Sequence, residues 1–465
     1  MKKLINFCLM LLLFIVVSIF PTAEASANPA ELKVGLYPYV PRIEQFETAI
    51  KTAWEKVEPD ISLKFLSAKQ WDGGYYIKEP LKTGADVYVF DAIFFDHFKD
   101  KGWLLAMSAS EISDDSIDDF VDYAIEGVKD GNSYYAIPQL GCANILFYRK
   151  TDTKLANATN LKKINQALGQ CTYTSDIPPD KRGLMLDMSG GTTNATLYLD
   201  TVHSINGKYP FPLPQDESQL NFDAVNNMRD LLGMASYENA TDSQPPEKSS
   251  YQRAKWFSDG YGSALIGYTE AMSAMSQETR NNIDFKVMPL SEKDENYPAV
   301  FYADVIAVNP NTKHPNEAVK LAKIMASKET MVASIGKDDN YDYPQYLMAN
   351  RDSVFEKLKD QDPLYNKMQN LIDENDPIMF KLNENSRDWL SSMKDTIKFE
   401  AREGYSCGCD RNAVEQISYN DDAPGICKKT CADYGGWNGQ WTNDTPAAPK
   451  DTSVCGCNAC CLLLN

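Results

Sequence analysis

Apolar and polar positions change period repeatedly over the first hundred residues. "ELKVGLYP" is an apolar run of strand length, and "RIEQFETAIKTAWEKV" spaces its apolar residues at helical intervals. "ISLKFLS" reads as a second strand, and "DVYVFDAIFFDHF" as a third that runs into a turn or helix. Strands alternating with a helix build βαβ units and predict an α/β fold with a mostly parallel sheet. The pattern returns far along the chain. "PAVFYADVIAVNP" is a strand run, and "HPNEAVKLAKIMAS" starts a helix with Pro315 early and Ala318, Leu321, Ala322 and Met325 on one face. Between these regions "MSGGTTNATLYLDTVHSI" predicts a capped turn feeding a helix. No Lys follows the glycines and GxGxxG spacing is absent, which argues against a phosphate loop. "AIPQLGCANILFYRK" sets Cys142 between two apolar runs.

The two ends read differently from the body. "MKK", the apolar run "LINFCLMLLLFIVVSIF" and the small residues Ala25-Ser26-Ala27 form a secretory signal peptide over residues 1–27, so the protein is expected to be exported and extracellular. No later stretch is apolar enough to span a membrane. About 438 residues then remain, enough for two or three domains. After "DWLSSMKDTIKFEAREGYS" the composition changes abruptly, which places a boundary near residue 403 and divides the chain into a body, 28–403, and a cysteine-rich module, 404–465.

Eight of the 11 cysteines crowd into that module: Cys407, Cys409, Cys427, Cys431, Cys455, Cys457, Cys460 and Cys461. An even cluster in an exported chain predicts disulfides rather than a metal site. Only Cys142 and Cys171 remain in the body, and three readings of Cys142 stay open: small core residue, half of a disulfide, or nucleophile. Four sequons, at Asn157, Asn194, Asn239 and Asn443, permit glycosylation. With 65 acidic against 46 basic residues the net charge is −19. That argues against nucleic acid or an anionic membrane as partner and suits a cationic small molecule.

Histidine is scarce. His97 sits in an aromatic stretch, His203 on a helix and His314 before Pro315. A catalytic Cys142 would therefore take a carboxylate as base, one whose pKa burial has raised towards neutrality. Glu270 is the candidate, closing the glycine-rich, mostly apolar run "YGSALIGYTE", with an exposed helix start as its alternative reading. Tyrosines cluster at strand ends: Tyr37 and Tyr39, Tyr75 and Tyr76, then Tyr251, Tyr268 and Tyr302. With Asp91 after "VYVF" and Asp304 after "FYA", they suit a flat cationic heterocycle, the rings stacking and the acids accepting from its amino groups. Sheet-forming aromatics at strand edges are the plainer alternative.

"LYPYVP", "VFDAIFFDHF", "AIPQLGCANILFYRK", "SGGTT…LYLD", "WFSDGYGSALIGYTEAM", "FYADVIAVN", "HPNEAVKLA" and "YPQYL" resemble, in this order from about residue 32 to 395, the sequences of bacterial thiaminase I. The resemblance implies a two-lobed type II periplasmic-binding-protein-like fold. It also implies displacement of the thiazole of thiamin by a nucleophilic co-substrate of the pyridine, aniline or thiol type. It carries Cys142 over as nucleophile and Glu270 as its base. Tyr37, Tyr39, Tyr251, Tyr268 and Tyr302 become cleft residues, and Asp91 and Asp304 contacts to the aminopyrimidine. "WDGGYY" matches less cleanly. Neither metal nor organic cofactor is called for.

The tail segment "CKKTCADYGGWNGQWTN…DTSVCGC" resembles a small cyanobacterial mannan-binding lectin module. That resemblance implies a mannose-rich glycan as partner, with Trp437 and Trp441 stacking on sugar; a stapled cap with the tryptophans as its core is the alternative. Two other functions remain open for the chain: a solute-binding protein for thiamin or sugar without chemistry, and a secreted glycan-binding protein.

Overall fold

The computed structural model describes residues 31–76, 79–114, 116–169, 183–235, 249–294, 297–403, 410–432, 436–443 and 453–457. The signal peptide expected over residues 1–27, Cys171, Asn239 and the tail cysteines Cys407, Cys409, Cys460 and Cys461 lie outside them.

Two sheets form two lobes. The first lobe begins with the βαβ unit expected from sequence: strand Glu31–Gly35, helix Ile43–Glu55 and strand Ser62–Phe65. Glu31–Gly35 pairs in parallel with Ser62–Phe65 on one side and with Val87–Asp91 on the other. The helix buries Phe46, Ile50 and Trp54, the residues its 3.6 period puts on one face. From there the expectation of a mostly parallel sheet is corrected. Strand Val300–Val308 lies antiparallel to Val87–Asp91, and strands Ile137–Cys142 and Met348–Ala349 continue the antiparallel pairing. The reason is topological: the chain leaves this lobe, builds the other, and returns through the sheet from the opposite direction.

The second lobe holds a four-stranded sheet of Ile283–Val287, Ile145–Arg149, Ala264–Gly267 and Leu184–Met185, in that spatial order. Helix Gly191–Asn206 belongs to this lobe and follows the glycine turn as expected, but the expected cap is corrected: Gly190 at the N-cap has no side chain to accept a hydrogen bond. Only Ala143 and Asn144 separate the last strand residue of one sheet, Cys142, from the first of the other, Ile145. The return crossover runs beside them, Met288 donating its main-chain N–H to the Asn144 carbonyl at 2.8 Å. The long helix Ser386–Glu403 packs on helices Gly191–Asn206 and Phe222–Met234 and also touches helix Phe95–Asp100 of the first lobe. No helix among the described residues is long and apolar enough to cross a membrane.

The cysteine-rich end has its own small core of Ile417, Ala423, Ile426 and four half-cystines. Cys427–Cys455 and Cys431–Cys457 staple helix Ala423–Thr430 to strand Val454–Cys457. Trp437 and Trp441 stand opposite Cys457 and Cys455 on the neighbouring strand and are half-buried against that core. One sequon is removed from consideration. Asn194 is fully buried and donates to the carbonyls of Met188 and Gly190, so no glycan can be attached in the folded state.

Candidate active site

Strand Val300–Val308 organises the site. Tyr302 is in register with Cys142 on one neighbour, and Asp304 with Asp91 on the other. Residues two apart share a face, and cross-strand partners share it with them. Cys142, Tyr302, Asp304 and Asp91 therefore stand on one face of the sheet, beside the crossover to the second lobe. The nucleophile candidate lies where the lobes meet, and its sulfur is a free thiol.

The strand under Cys142 is fixed from below. Tyr123 donates its hydroxyl to Asn350 Oδ1 at 2.9 Å, and Asn350 Nδ2 donates to the Leu140 carbonyl at 2.7 Å. Gly141 is the residue this arrangement requires, since a Cβ there would come within 2.2 Å of the Tyr123 hydroxyl. Gly141→Ala is accordingly expected to shift the strand end and lower kcat by about 100-fold, because misplacement of order 1 Å costs that much. Steady-state kinetics at saturating substrate check this; an unchanged kcat would show that the strand end tolerates displacement.

The first lobe supplies an aromatic and acidic wall. Tyr37 follows strand Glu31–Gly35, with its ring 5.4 Å from that of Tyr39 and its hydroxyl 3.4 Å from that of Tyr75. Tyr75 donates to Asp91 Oδ2 at 2.5 Å, while Asp91 Oδ1 accepts from the Ile93 N–H at 3.0 Å. Gly73 allows this packing, because its φ of 75° is left-handed and a Cβ there would strike the Tyr37 ring at 2.7 Å. Tyr39 is the exposed member of the group, at 52%.

The carboxyl groups of Asp91 and Asp304 face the same space. Burial pushes both up, Asp91 to about 6, held back by the Ile93 and Tyr75 hydrogen bonds. Burial and then the charge of Asp91 raise Asp304 well above the usual carboxylate range.

The second lobe supplies the base candidate. Glu270 sits on the short turn of helix Thr269–Ala274, which packs against helix Ser249–Ser258 carrying Tyr251. Its Oε2 is buried and has no hydrogen-bond partner among the described residues. Burial pushes the carboxyl up to about 7, against a downward pull from its own main-chain N–H. Burial also raises the Cys142 thiol well above its usual range, and the charge of Glu270 raises it next, ahead of Asp304 and Asp91. The two groups therefore lie within each other's electrostatic field. Tyr251 and Tyr268 are likewise raised, first by burial and then by Glu270 and Cys142, which places both beside the pair. The Tyr268 ring lies 5.9 Å from that of Tyr302, and Tyr302 stacks on Phe380 at 4.6 Å.

The body residues singled out from sequence thus come together, from both lobes and the junction, while Trp437 and Trp441 stay in the separate disulfide core. The histidines do not compete for the role of base. His97 Nδ1 bonds the Glu384 carbonyl at 2.6 Å, and His203 Nε2 bonds that of Pro298 at 2.9 Å. Sequence reasoning underweighted Tyr75 and missed Tyr123, Asn144 and Asp200. The only signal for these was position: Asn144 stands two residues after Cys142, and Asp200 closes the "LYLD" motif.

The profile of the Thiaminase-1 domain matches residues 143–291. Thiaminase-1 of Paenibacillus thiaminolyticus is 34% identical over 390 residues, covering 83% of this chain and 92% of the relative. The chain belongs to the thiaminase I family. The thiaminase I structure from Clostridium botulinum, in complex with thiamin, superposes with a TM-score of 0.73 at 37% identity, covering 80% of this chain and 100% of that one. Thiaminase I from Bacillus thiaminolyticus gives 0.72 at 34%, covering 80% and 99%. Beyond thiaminase I, the fold extends to the GacH receptor of Streptomyces glaucescens, at TM-score 0.56 and 14% identity over 81% of this chain and 98% of that one. The type II binding-protein architecture expected from sequence is therefore the one observed. At the other end, the Mannan-binding protein profile matches residues 420–457.

Proposed function

We propose that this thiaminase I family member is an exported transferase that cleaves thiamin through a covalent bond between Cys142 and the pyrimidine. The observation that carries the reading is a free thiol at the lobe junction, in the field of a buried carboxyl whose Oε2 accepts no hydrogen bond among the described residues. A passive binding protein of this fold has no use for such a pair, because an unpaired buried acid costs stability.

Thiamin enters as a cation, and its positive charge favours the ionised state of the pair. Glu270 takes the Cys142 proton, and the thiolate adds to C6 of the pyrimidine. The ring π pair moves to form an exocyclic methylene as the C–N bond breaks, and thiazole leaves neutral, taking the C–N bonding pair on its nitrogen. An acceptor then attacks the methylene carbon, and one that carries a proton, such as aniline or a thiol, loses it to solvent. The C6–S bond breaks, the ring regains aromaticity, and the thiolate recovers its proton from Glu270. Two moderate barriers replace one high barrier. In this scheme Asp91 and Asp304 hold the aminopyrimidine, and Tyr37, Tyr39, Tyr251, Tyr268 and Tyr302 enclose it.

The test is incubation with thiamin and aniline. Free thiazole and a pyrimidine–aniline adduct are expected from the wild type, whereas thiamin recovered intact would leave a binding protein.

The division at residue 403 is part of the same proposal, with residues 404–465 as a glycan-binding module that holds the enzyme on mannose-rich surfaces. The body and the tail have separate hydrophobic cores, which supports their independence. A chain ending at residue 403 is expected to keep thiamin cleavage and to lose retention on a mannan column. Equal retention of both chains would remove the module's assigned role.

A further inference from the structure

Three side chains beside the nucleophile are joined across the lobe boundary, and the chemical steps above use only one of them. Asp200, on helix Gly191–Asn206 of the second lobe, accepts from Asn144 Nδ2 at 2.6 Å. The same Nδ2 lies 3.3 Å from the hydroxyl of Tyr302, which belongs to the central strand of the first lobe. All three linked residues are buried: Asn144 to 9%, Asp200 to 7% and Tyr302 to 5% exposure.

Resting on the thiaminase reading, we infer that Asp200 is a positioning residue for the nucleophile. Its carboxylate holds the Asn144 carboxamide, which fixes the crossover after Cys142 and the Tyr302 hydroxyl relative to the second lobe.

The placement is specific. Asn144 is held at both ends, its carbonyl by Met288 N–H on the return crossover and its side chain by Asp200. Cys142 lies two residues before it, at the end of its strand and in register with Tyr302. A nucleophile on a two-residue bridge between lobes needs such anchoring, because any rocking of one lobe on the other would move it. A buried carboxyl is also a costly way to hold a carboxamide, since an apolar residue would fill the space without desolvating a charge. Its acidity shows the cost: burial pushes Asp200 up to about 7, although the Asn144 hydrogen bond pulls it down. The 2.6 Å contact is at the short end for an amide donor, as a charge-assisted bond would be. Asp200 reaches the neighbourhood of the nucleophile through Asn144, whose Nδ2 contacts both the Asp200 carboxylate and the Tyr302 hydroxyl.

The test uses the full chain with Asp200→Ala, Asp200→Asn, Asn144→Ser and the double variant Asp200→Ala/Asn144→Ser. Two readouts are taken: kcat and KM with thiamin and aniline, and the rate of Cys142 alkylation by iodoacetamide. Alkylation needs no thiamin, so it reads positioning even if the thiaminase reading fails. Asp200→Ala is expected to lower kcat by about tenfold with little change in KM, and to change the alkylation rate several-fold. Asp200→Asn, which keeps an acceptor oxygen, should recover most of both. Asn144→Ser should match Asp200→Ala, and the double variant should be no worse than either single one, as for residues acting as one unit. Wild-type kcat and alkylation in Asp200→Ala would overturn the inference. Should that variant not fold, the same wild-type values in Asn144→Ser would overturn it. Fully multiplicative losses in the double variant would also do so.

Discussion

Cys142→Ser is expected to keep the fold and thiamin binding while losing turnover by about 10,000-fold or more, the usual scale for removing a covalent nucleophile. The substitution is nearly isosteric, and the strand that carries the residue is held by the Tyr123–Asn350 and Asn144–Asp200 hydrogen bonds rather than by the sulfur. What changes is the chemistry. Even a thiol raised by burial and by neighbouring carboxylates can pass its proton to an acid at about 7 once a cation is bound, whereas a serine hydroxyl under the same conditions stays protonated. Binding measured by calorimetry should therefore be retained, and thiazole release in a chromatographic assay should vanish. Substantial turnover in the serine variant would transfer the nucleophile to another group.

Glu270→Gln is expected to cost about 100- to 10,000-fold in kcat, the range for a positioned general base. Its signature is the pH profile. Glu270 works as the deprotonated carboxylate, so kcat/KM should rise as pH passes through about 7 and level off above it. The glutamine variant should lose that rising limb along with the rate. The sign follows from the shift. Burial raises the carboxyl from the usual glutamate range, so the competent form is depleted in mildly acidic solution, where an ordinary glutamate would still be ionised. A rising limb that persists near pH 7 in the glutamine variant would assign the titration to another buried acid. Asp200, also at about 7, is the first to examine.

Sequence pattern resolved much of this molecule and failed at identifiable places. The period of Ile43–Glu55 and the early proline of Pro315–Met325 forecast both helices, because each feature is local. The antiparallel pairing of Val300–Val308 with Val87–Asp91 was hidden, because strand direction depends on a chain excursion of some two hundred residues. Cys142 and Glu270 could be nominated as chemistry-bearing residues, yet no spacing places residues 128 positions apart side by side. Register does the rest: Tyr302 meets Cys142 and Asp304 meets Asp91 only once the central strand is in place. Asp200 was illegible for the same reason. In the sequence it is one acid among sixty-five, and only burial against Asn144 distinguishes it.

The central claim is the covalent bond between Cys142 and the pyrimidine, and the direct measurement is intact-protein mass spectrometry. Wild-type protein is exposed to thiamin with acceptor withheld and quenched within the first turnover, followed by peptide mapping. The account predicts an added aminopyrimidinylmethyl group on Cys142, an equal amount of free thiazole, and discharge of the adduct when aniline is supplied. Thiazole release from protein that stays unmodified throughout, or an adduct mapping to a different residue, would contradict it.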